Sequence, residues 1–498
     1  MTNPRCEMDH SLPKVFRLAS SLLSVLLALG FAIPAVGYAQ AAIRLSQVRK
    51  LYVDSLGTDK GAAEIRQQVV RRLGRSQYVQ VVSNPKEADA LVKGTGRIWV
   101  TGGVFLSPRS HSIRQSTFGG FVSAEVVGKN DETLWSYLVT PSSFPWKGIT
   151  SDLATQLVTK LLAALKGEDH QGPAVADSLV QAEGTLIGAG ATFPAPLYQR
   201  WFELFQEQYP KVHIRYDAVG SADGIARLTE GRLDFAASDM PLSDQAMSEA
   251  HQHFVHVPTV LGAVVVIYNV KGLRQTLNFT PEILSGIYLG KITKWNDPQI
   301  RKSNRGAVLP DTTIAVVHRS DGSGTSFVWT DYLSKASPQW KASIGVGTTV
   351  PWPVGIGAEG NEGVASAVQR IPNSIGYVEF IYAIQRELSF GAVKNSSDEF
   401  IKASISSVTA AAAAATSTPG HDSRVSITDA PGKAAYPIAT FTWLLLPERI
   451  DDKNKKNVLR QFVRWALTSG QRRCSTLGYA PLPTDVAKRA LESFGAIQ

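Results

Sequence analysis

Short apolar strands alternate with helices from Gly184 to the end of the chain, and this alternation limits the fold more than any other feature of the sequence. Such a rhythm marks α/β lobes built on largely parallel sheets. The clearest strands are Leu186–Gly188, His213–Ala218, Asp234–Ala237, Val255–Tyr268 and Ile314–His318. Ala195 to Tyr209 reads as a helix with Leu197, Trp201, Leu204, Phe205 and Gln208 near one face. Ser404 to Gly420, an alanine tract with a Ser/Thr/Pro flank, fits either a helix end or a surface loop.

Ahead of this pattern, residues 43–167 read as a separate small α/β module. Ala62–Leu73 has helical spacing, Tyr78–Val82 and Ala90–Val100 read as strands, and Phe118–Val127 pairs with Thr133–Val139 around Gly128-Lys-Asn-Asp. Ser151 is placed to cap a second helix that runs to Leu165 and stops at Gly167. The polar stretch 168–183 reads as a linker. Residues 1–41 have the form of an export signal: Arg5, Lys14 and Arg17, an apolar run from Leu18 to Val36, then Ala39-Gln40-Ala41. An uncleaved anchor is the competing reading, and Pro34 and Gly37 favour a removed signal. Cys6 precedes the apolar run, so it is not a lipid-bearing cysteine, and removal of the signal leaves Cys474 with no intramolecular disulfide partner. The expected location is periplasmic.

The net charge of +9 invites a nucleic-acid partner, but the basic residues are scattered and form no long block with interleaved aromatics. A mild positive surplus also suits an anionic ligand. Four segments point the same way: Gly188–Pro194, Gly220–Gly224, Ala237–Pro241 and Arg319–Ser326. Each puts small or hydroxyl residues where a strand gives way to a helix. Helix N-termini present unpaired N–H groups and a partial positive charge, glycine lets backbone approach, and Arg319 adds a planar cationic fork. A single such turn is usually only a helix cap.

Taken in order, the four turns resemble those of the periplasmic phosphate-binding proteins of ABC phosphate importers. The resemblance spans about Gly184 to the C-terminus and rests on Gly188–Pro196, Leu233–Asp244, Ile287–Trp295, Ala315–Phe327, Pro353–Gly363 and Ile375–Glu379. It implies a two-lobed periplasmic-binding-protein fold of type II, preceded here by the small α/β domain. Lobe I is expected at 184–258 plus 437–498 and lobe II at 259–436. It also implies inorganic phosphate as ligand, with Thr192, Phe193, Ser221, Asp239, Arg319, Ser323, Gly324 and Thr325 around it and Asp321 orienting Arg319. The implied partner is an ABC permease of the inner membrane, with no cofactor, no metal and no catalysis. An ionised acid beside an oxyanion is repulsive unless the ligand donates a hydrogen to it. Phosphate carries a proton at neutral pH and sulfate does not, so Asp239 is expected to accept from the one and repel the other. Asp223 departs from the family's small second turn and is expected to point outward.

Other signals carry less. Gly355–Gly360 fits G-x-G-x-x-G but follows a Trp-Pro loop where a dinucleotide fold needs a buried strand. His251, His253 and His256 lack a completing ligand. Gly322–Ser326 is not a hydrolase elbow. The 43–167 module is similar in pattern to small periplasmic modules such as the N-terminal domain of TolB, which implies an envelope protein partner, with Pro108–Gln115 as a candidate contact loop. Two alternatives to phosphate delivery stand beside it: an envelope-interaction protein or phosphate sensor, and a phosphatase on the same scaffold.

Overall fold

Five strands of the first 140 residues form one mixed sheet: β1 (Lys50–Val53), β2 (Gln80–Val81), β3 (Ala90–Gly103), β4 (Ser116–Gly128) and β5 (Thr133–Val139). Their order is β2-β1-β3-β4-β5, with β1 parallel to both neighbours and β3, β4 and β5 antiparallel. The structure is a computed structural model and describes residues 43–103, 116–142, 146–167, 183–250, 252–273, 275–416 and 424–495. The expected signal, the loop Pro108–Gln115, residues 168–182 of the linker and the end of the alanine tract lie outside the described residues. Helices Lys60–Leu73 and Trp146–Leu165 pack on each other and on this sheet through Ile65, Val69, Leu73, Leu153, Leu157 and Leu161.

The hairpin turn expected at Gly128 is made by β4 and β5, closed by the Gly128 N–H on the Glu132 carbonyl at 2.9 Å. Asp131 takes the left-handed conformation there, φ 57°, which aspartate tolerates better than most residues. Ser151 is not a cap. The helix begins at Trp146, and Ser151 lies inside it with Oγ accepting from Arg72 Nη2 of the neighbouring helix at 2.9 Å. The hydroxyl joins two helices where the sequence suggested it would start one.

The remaining strands are β6 (Gly184–Gly190), β7 (Val212–Ala218), β8 (Phe235–Ser238), β9 (Phe254–Asn269), β10 (Asn278–Phe279) and β11 (Ala315–Arg319). They continue with β12 (Ile356–Ala358), β13 (Ser374–Glu379), β14 (Ser389–Phe390), β15 (Ala392–Lys394), β16 (Phe400–Ile401) and β17 (Ala439–Pro447). Nine of them make one continuous sheet, β12-β11-β13-β9-β17-β8-β6-β7 with β14 added beside β9, and β10, β15 and β16 make a small separate one. The long strand β9 changes partner midway. It pairs with β17 from Phe254 to Ala263 and with β13 from Val264 to Asn269, so the two halves of the sheet belong to two lobes. Each lobe has its own aromatic core. Tyr198, Phe202, Phe205, Phe235 and Phe462 cluster on the β6–β8 side, and Tyr288, Trp329, Trp352 and Tyr377 on the β11–β13 side.

The helix expected from Ala195 runs to Gln208 and buries Leu197, Tyr198, Trp201 and Phe205. Gln208 is exposed, and Tyr209 is buried just past the helix end. Part of the alanine tract is a helix, Ile405–Ala415, started by a reciprocal Ser404/Ser407 capping box. Among the described residues no helix is long and apolar enough to cross a membrane.

Candidate functional site

All four turns singled out in the sequence leave the C-terminal ends of strands β6, β7, β8 and β11, where open α/β sheets hold ligands. After β6, Thr192 and Phe193 are buried, and their carbonyls are tied down by tyrosine hydroxyls. Tyr382 Oη donates to the Thr192 oxygen at 2.7 Å and Tyr479 Oη to the Phe193 oxygen at 2.6 Å. After β7, Gly220 adopts φ 100° and starts the helix Ser221–Thr229. A Cβ at Gly220 would stand 2.8 Å from both Asp321 Oδ2 and the Gly322 oxygen, so conformation and space each require glycine there. Ser221 is fully buried and its Oγ accepts the Asp239 N–H at 3.3 Å.

Asp239 follows β8 and is 1% exposed. Its Oδ1 accepts from Thr442 Oγ1 at 2.6 Å, while Oδ2 is buried without a partner. Burial pushes its pKa up to about 7, against the hydrogen bond from Thr442 and the charge of Arg319, which both pull it down. After β11, Arg319 is 2% exposed and donates through Nε to Asp321 Oδ1 at 2.7 Å and through Nη2 to Asp321 Oδ2. Its Nη1 is buried and unpartnered. Burial works to raise Asp321, but the Arg319 bonds and charge and the Gly360 N–H outweigh it and hold its carboxyl below the usual range.

Ser323 caps the helix Gly324–Ala336 through Oγ on the Ser326 N–H at 3.1 Å, and its own N–H goes to the Thr348 oxygen at 3.0 Å. It has only a hydroxyl proton to offer a ligand. Gly324 lies where the two lobes meet. A Cβ there would be 2.2 Å from Ser221 Oγ and 2.6 Å from Asp239 Oδ2. Ala222 N–H donates to the Gly322 oxygen at 3.0 Å, a second contact from lobe to lobe. The lobes are therefore closed on one another.

Sequence reasoning missed Asn361, which is fully buried and bridges the lobes. Its Nδ2 donates to Thr192 Oγ1 at 2.9 Å and to Thr325 Oγ1 at 3.1 Å, and its Oδ1 accepts the Glu379 N–H at 2.9 Å. It is the second residue of the helix that follows the glycine-rich segment 355–360. The short strand β12 leads directly into that helix, Gly360–Arg370, and the segment serves the cleft through Gly360 and Asn361. Thr442, Tyr382 and Tyr479 were also missed as site residues. Glu379, fully buried beneath the cleft, is pushed well above the usual carboxylate range by burial, with Asp239 adding to the shift.

Asp223 is 46% exposed and paired with Arg227 at 2.6 Å, one helical turn on. His256 accepts the Leu242 N–H at 3.0 Å, and His253 is exposed. Among the described residues no group of three or more His, Cys, Asp or Glu is placed to hold a metal ion. The cleft thus joins one buried cationic donor, Arg319 Nη1, and one buried acidic acceptor, Asp239 Oδ2, each lacking a protein partner. Buried polar atoms are rarely left so, and the pair fits a ligand that both accepts and donates.

A family model described as the PBP superfamily domain matches residues 175–469. The phosphate-binding protein PstS of Xylella fastidiosa (strain Temecula1) is 40% identical over 312 residues, 62% of this chain and 85% of that protein. PstS of Pasteurella multocida is 39% identical over 306 residues, 61% of this chain and 88% of that protein. PstS of Methanocaldococcus jannaschii is 36% identical over 332 residues, 62% of this chain and 85% of that protein. Among solved structures, a high-affinity periplasmic phosphate-binding protein (PfluDING) bound with phosphate shares the fold at a TM-score of 0.51 and 22% identity, covering 61% of this chain and 92% of that one. With most of each PstS relative covered at this identity, the chain belongs to the PstS phosphate-binding proteins of the PBP superfamily.

Proposed function

We propose that the chain captures inorganic phosphate in the interlobe cleft and delivers it, in the periplasm, to an ABC permease of the inner membrane. The observation that carries this is the pair of buried, unpartnered atoms Arg319 Nη1 and Asp239 Oδ2 in a closed cleft. A protonated oxyanion satisfies both: an oxygen accepts from the guanidinium, and a P–OH donates to the carboxylate. Ser221, Ser323 and Thr325 add hydroxyl donors, and the turn at Thr192 and Phe193 is held with its carbonyls bonded away to tyrosines. Asp321 positions Arg319 by taking two of its donors and leaves Nη1 for the ligand. The PstS relatives are named for phosphate binding, which supports the same ligand here.

Ligand switches the equilibrium between open and closed lobes because donors from both sides are satisfied only in the closed form. The cleft binds without a reacting nucleophile. Ser323 caps its helix, and the serines nearby are engaged with backbone or with Tyr377. Calorimetric titration of the full chain with phosphate, arsenate and sulfate is the test. Phosphate and arsenate are expected to bind, and sulfate to be rejected by up to roughly 10⁴-fold where Asp239 is fully ionised. Millimolar or absent phosphate binding overturns the proposal.

A further inference from the structure

The 43–167 module lies against both lobes, on either side of the point where β9 changes partner. Its β4–β5 region meets the last part of the chain, which belongs to the β17 side. Ser123 Oγ donates to the Thr476 oxygen at 2.8 Å, and Ser136 Oγ donates to the Arg472 oxygen. Arg472 Nη1 returns a bond to the Thr133 oxygen at 3.2 Å, and Arg473 pairs with Glu125 at 3.0 Å with both side chains largely buried. Strand β5 is buried along its whole length.

A second set of contacts reaches the β13 side. Arg97 pairs with Glu387 at 2.7 Å, and Lys402 Nζ donates to the Pro141 oxygen at 3.2 Å while lying over the Phe390 ring at 4.6 Å. A small cavity runs along this seam, lined by Trp99 and Pro141 from the module and by Tyr268, Phe390 and Lys402 from lobe II. This half is the weaker. The Arg97–Glu387 pair is only half-buried, and ion pairs near the surface contribute little. Burial draws the Lys402 ammonium down to about 8, a sign that the seam holds it poorly solvated.

In the opening proposed above, one lobe rotates against the other about β9 and β17. A third body bonded to both cannot keep both sets of contacts through that rotation. We propose that the 43–167 module is a strap across the hinge that favours the closed cleft, staying with lobe I and releasing lobe II when the lobes part. Loss of the strap then raises the open population and speeds release of whatever the cleft holds. Its bearing on phosphate rests on the ligand proposed above; its effect on lobe opening does not.

The test uses the full chain and an Arg97→Glu/Lys402→Glu double variant, which sets carboxylates against Glu387 and against the Pro141 oxygen. Small-angle scattering without ligand is expected to show the double variant expanded relative to the parent. Stopped-flow dissociation of phosphate is expected to quicken within the roughly 5- to 150-fold range of ordinary coupling between sites. The charge swap Arg97→Glu/Glu387→Arg restores that ion pair and is expected to behave as the parent in both measurements. Circular dichroism of the double variant, expected to match the parent, separates strap loss from a general defect in folding. A double variant whose ligand-free scattering matches the parent overturns the strap. If neither chain binds phosphate, the proposed ligand falls and the scattering comparison alone decides the strap.

Discussion

A carboxylate walled off from water with one oxygen unpartnered either takes a proton from its ligand or keeps one of its own. Asp239 is in that position, with its value raised from 3.8 to about 7. Because its folded-state value lies above the ordinary one, protonation favours the folded, ligand-free protein. That contribution is complete below 3.8 and is lost as pH rises to about 7. Asp239→Asn is therefore expected to gain on the parent in thermal stability across this window, by about 4 kcal/mol at its upper end. A melting series against pH reads the difference, and parallel curves for the two chains contradict the shift. The same proton alters selectivity. On the acid side of 7 a protonated Asp239 donates to sulfate, so sulfate competition is expected to strengthen as pH falls, and it is expected to be strong at every pH in Asp239→Asn. Competition titrations above and below 7 check this.

Asn361 also acts at single-residue scale. Asn361→Ala removes the amide shared by Thr192 and Thr325 and leaves the Glu379 N–H without its acceptor. Orphaned buried groups cost about 1–3 kcal/mol each, so phosphate affinity is expected to fall by at least roughly tenfold. Calorimetry gives the number, and an unchanged affinity means that the bridge contributes nothing to closure.

Among the elements, the helix N-terminus at Gly324 sets the tightest tolerance. Gly324→Ala puts a methyl against Ser221 Oγ and Asp239 Oδ2 across the cleft, where neither lobe alone is disturbed. Overpacking of about 1–3 kcal/mol then falls on closure, and affinity drops by roughly 10- to 100-fold while each lobe stays folded. Calorimetry paired with circular dichroism separates the two. The elements were also where the sequence was most legible. The alternation of strand and helix located β6 through β9 and β11 to within two residues at each end, because buried strands are short apolar runs bounded by glycine and polar residues. It placed Asp239 and Arg319 at strand ends, and Gly324 where the next helix starts, for the same reason. It could not find Asn361, Tyr382 or Tyr479. Their partners lie 169, 190 and 286 residues away, and to local pattern a buried tyrosine is only a core residue. The Ser151 cap failed in the same way, through a bond to Arg72 that is 79 residues distant. A lone asparagine just inside a helix that opens on glycine was the one signal available for the bridge.

At the scale of the whole molecule, ligand enters the stability of the closed form by mass action. On the alkaline side of 7, phosphate at a thousand times its Kd is expected to stabilise the chain by about 4 kcal/mol, and sulfate at the same concentration by far less. Thermal melts in the two salts test this, and equal shifts point to a general salt effect. The strap belongs to this scale too, since it ties residues near 97 and 136 to residues near 387 and 472.

Strand β9 has one more consequence, for how the chain comes to be folded. Its first half waits for β17, which is made only after all of lobe II has been made. Lobe II is one continuous stretch and can pair its own half of β9 early, whereas lobe I must close a loop as long as the other lobe. Refolding is thus expected to run from lobe II to lobe I, with the β8 edge of the β8-β6-β7 group unpaired until β17 arrives. A chain emerging from its N-terminus holds lobe I unfinished until nearly all of it is out.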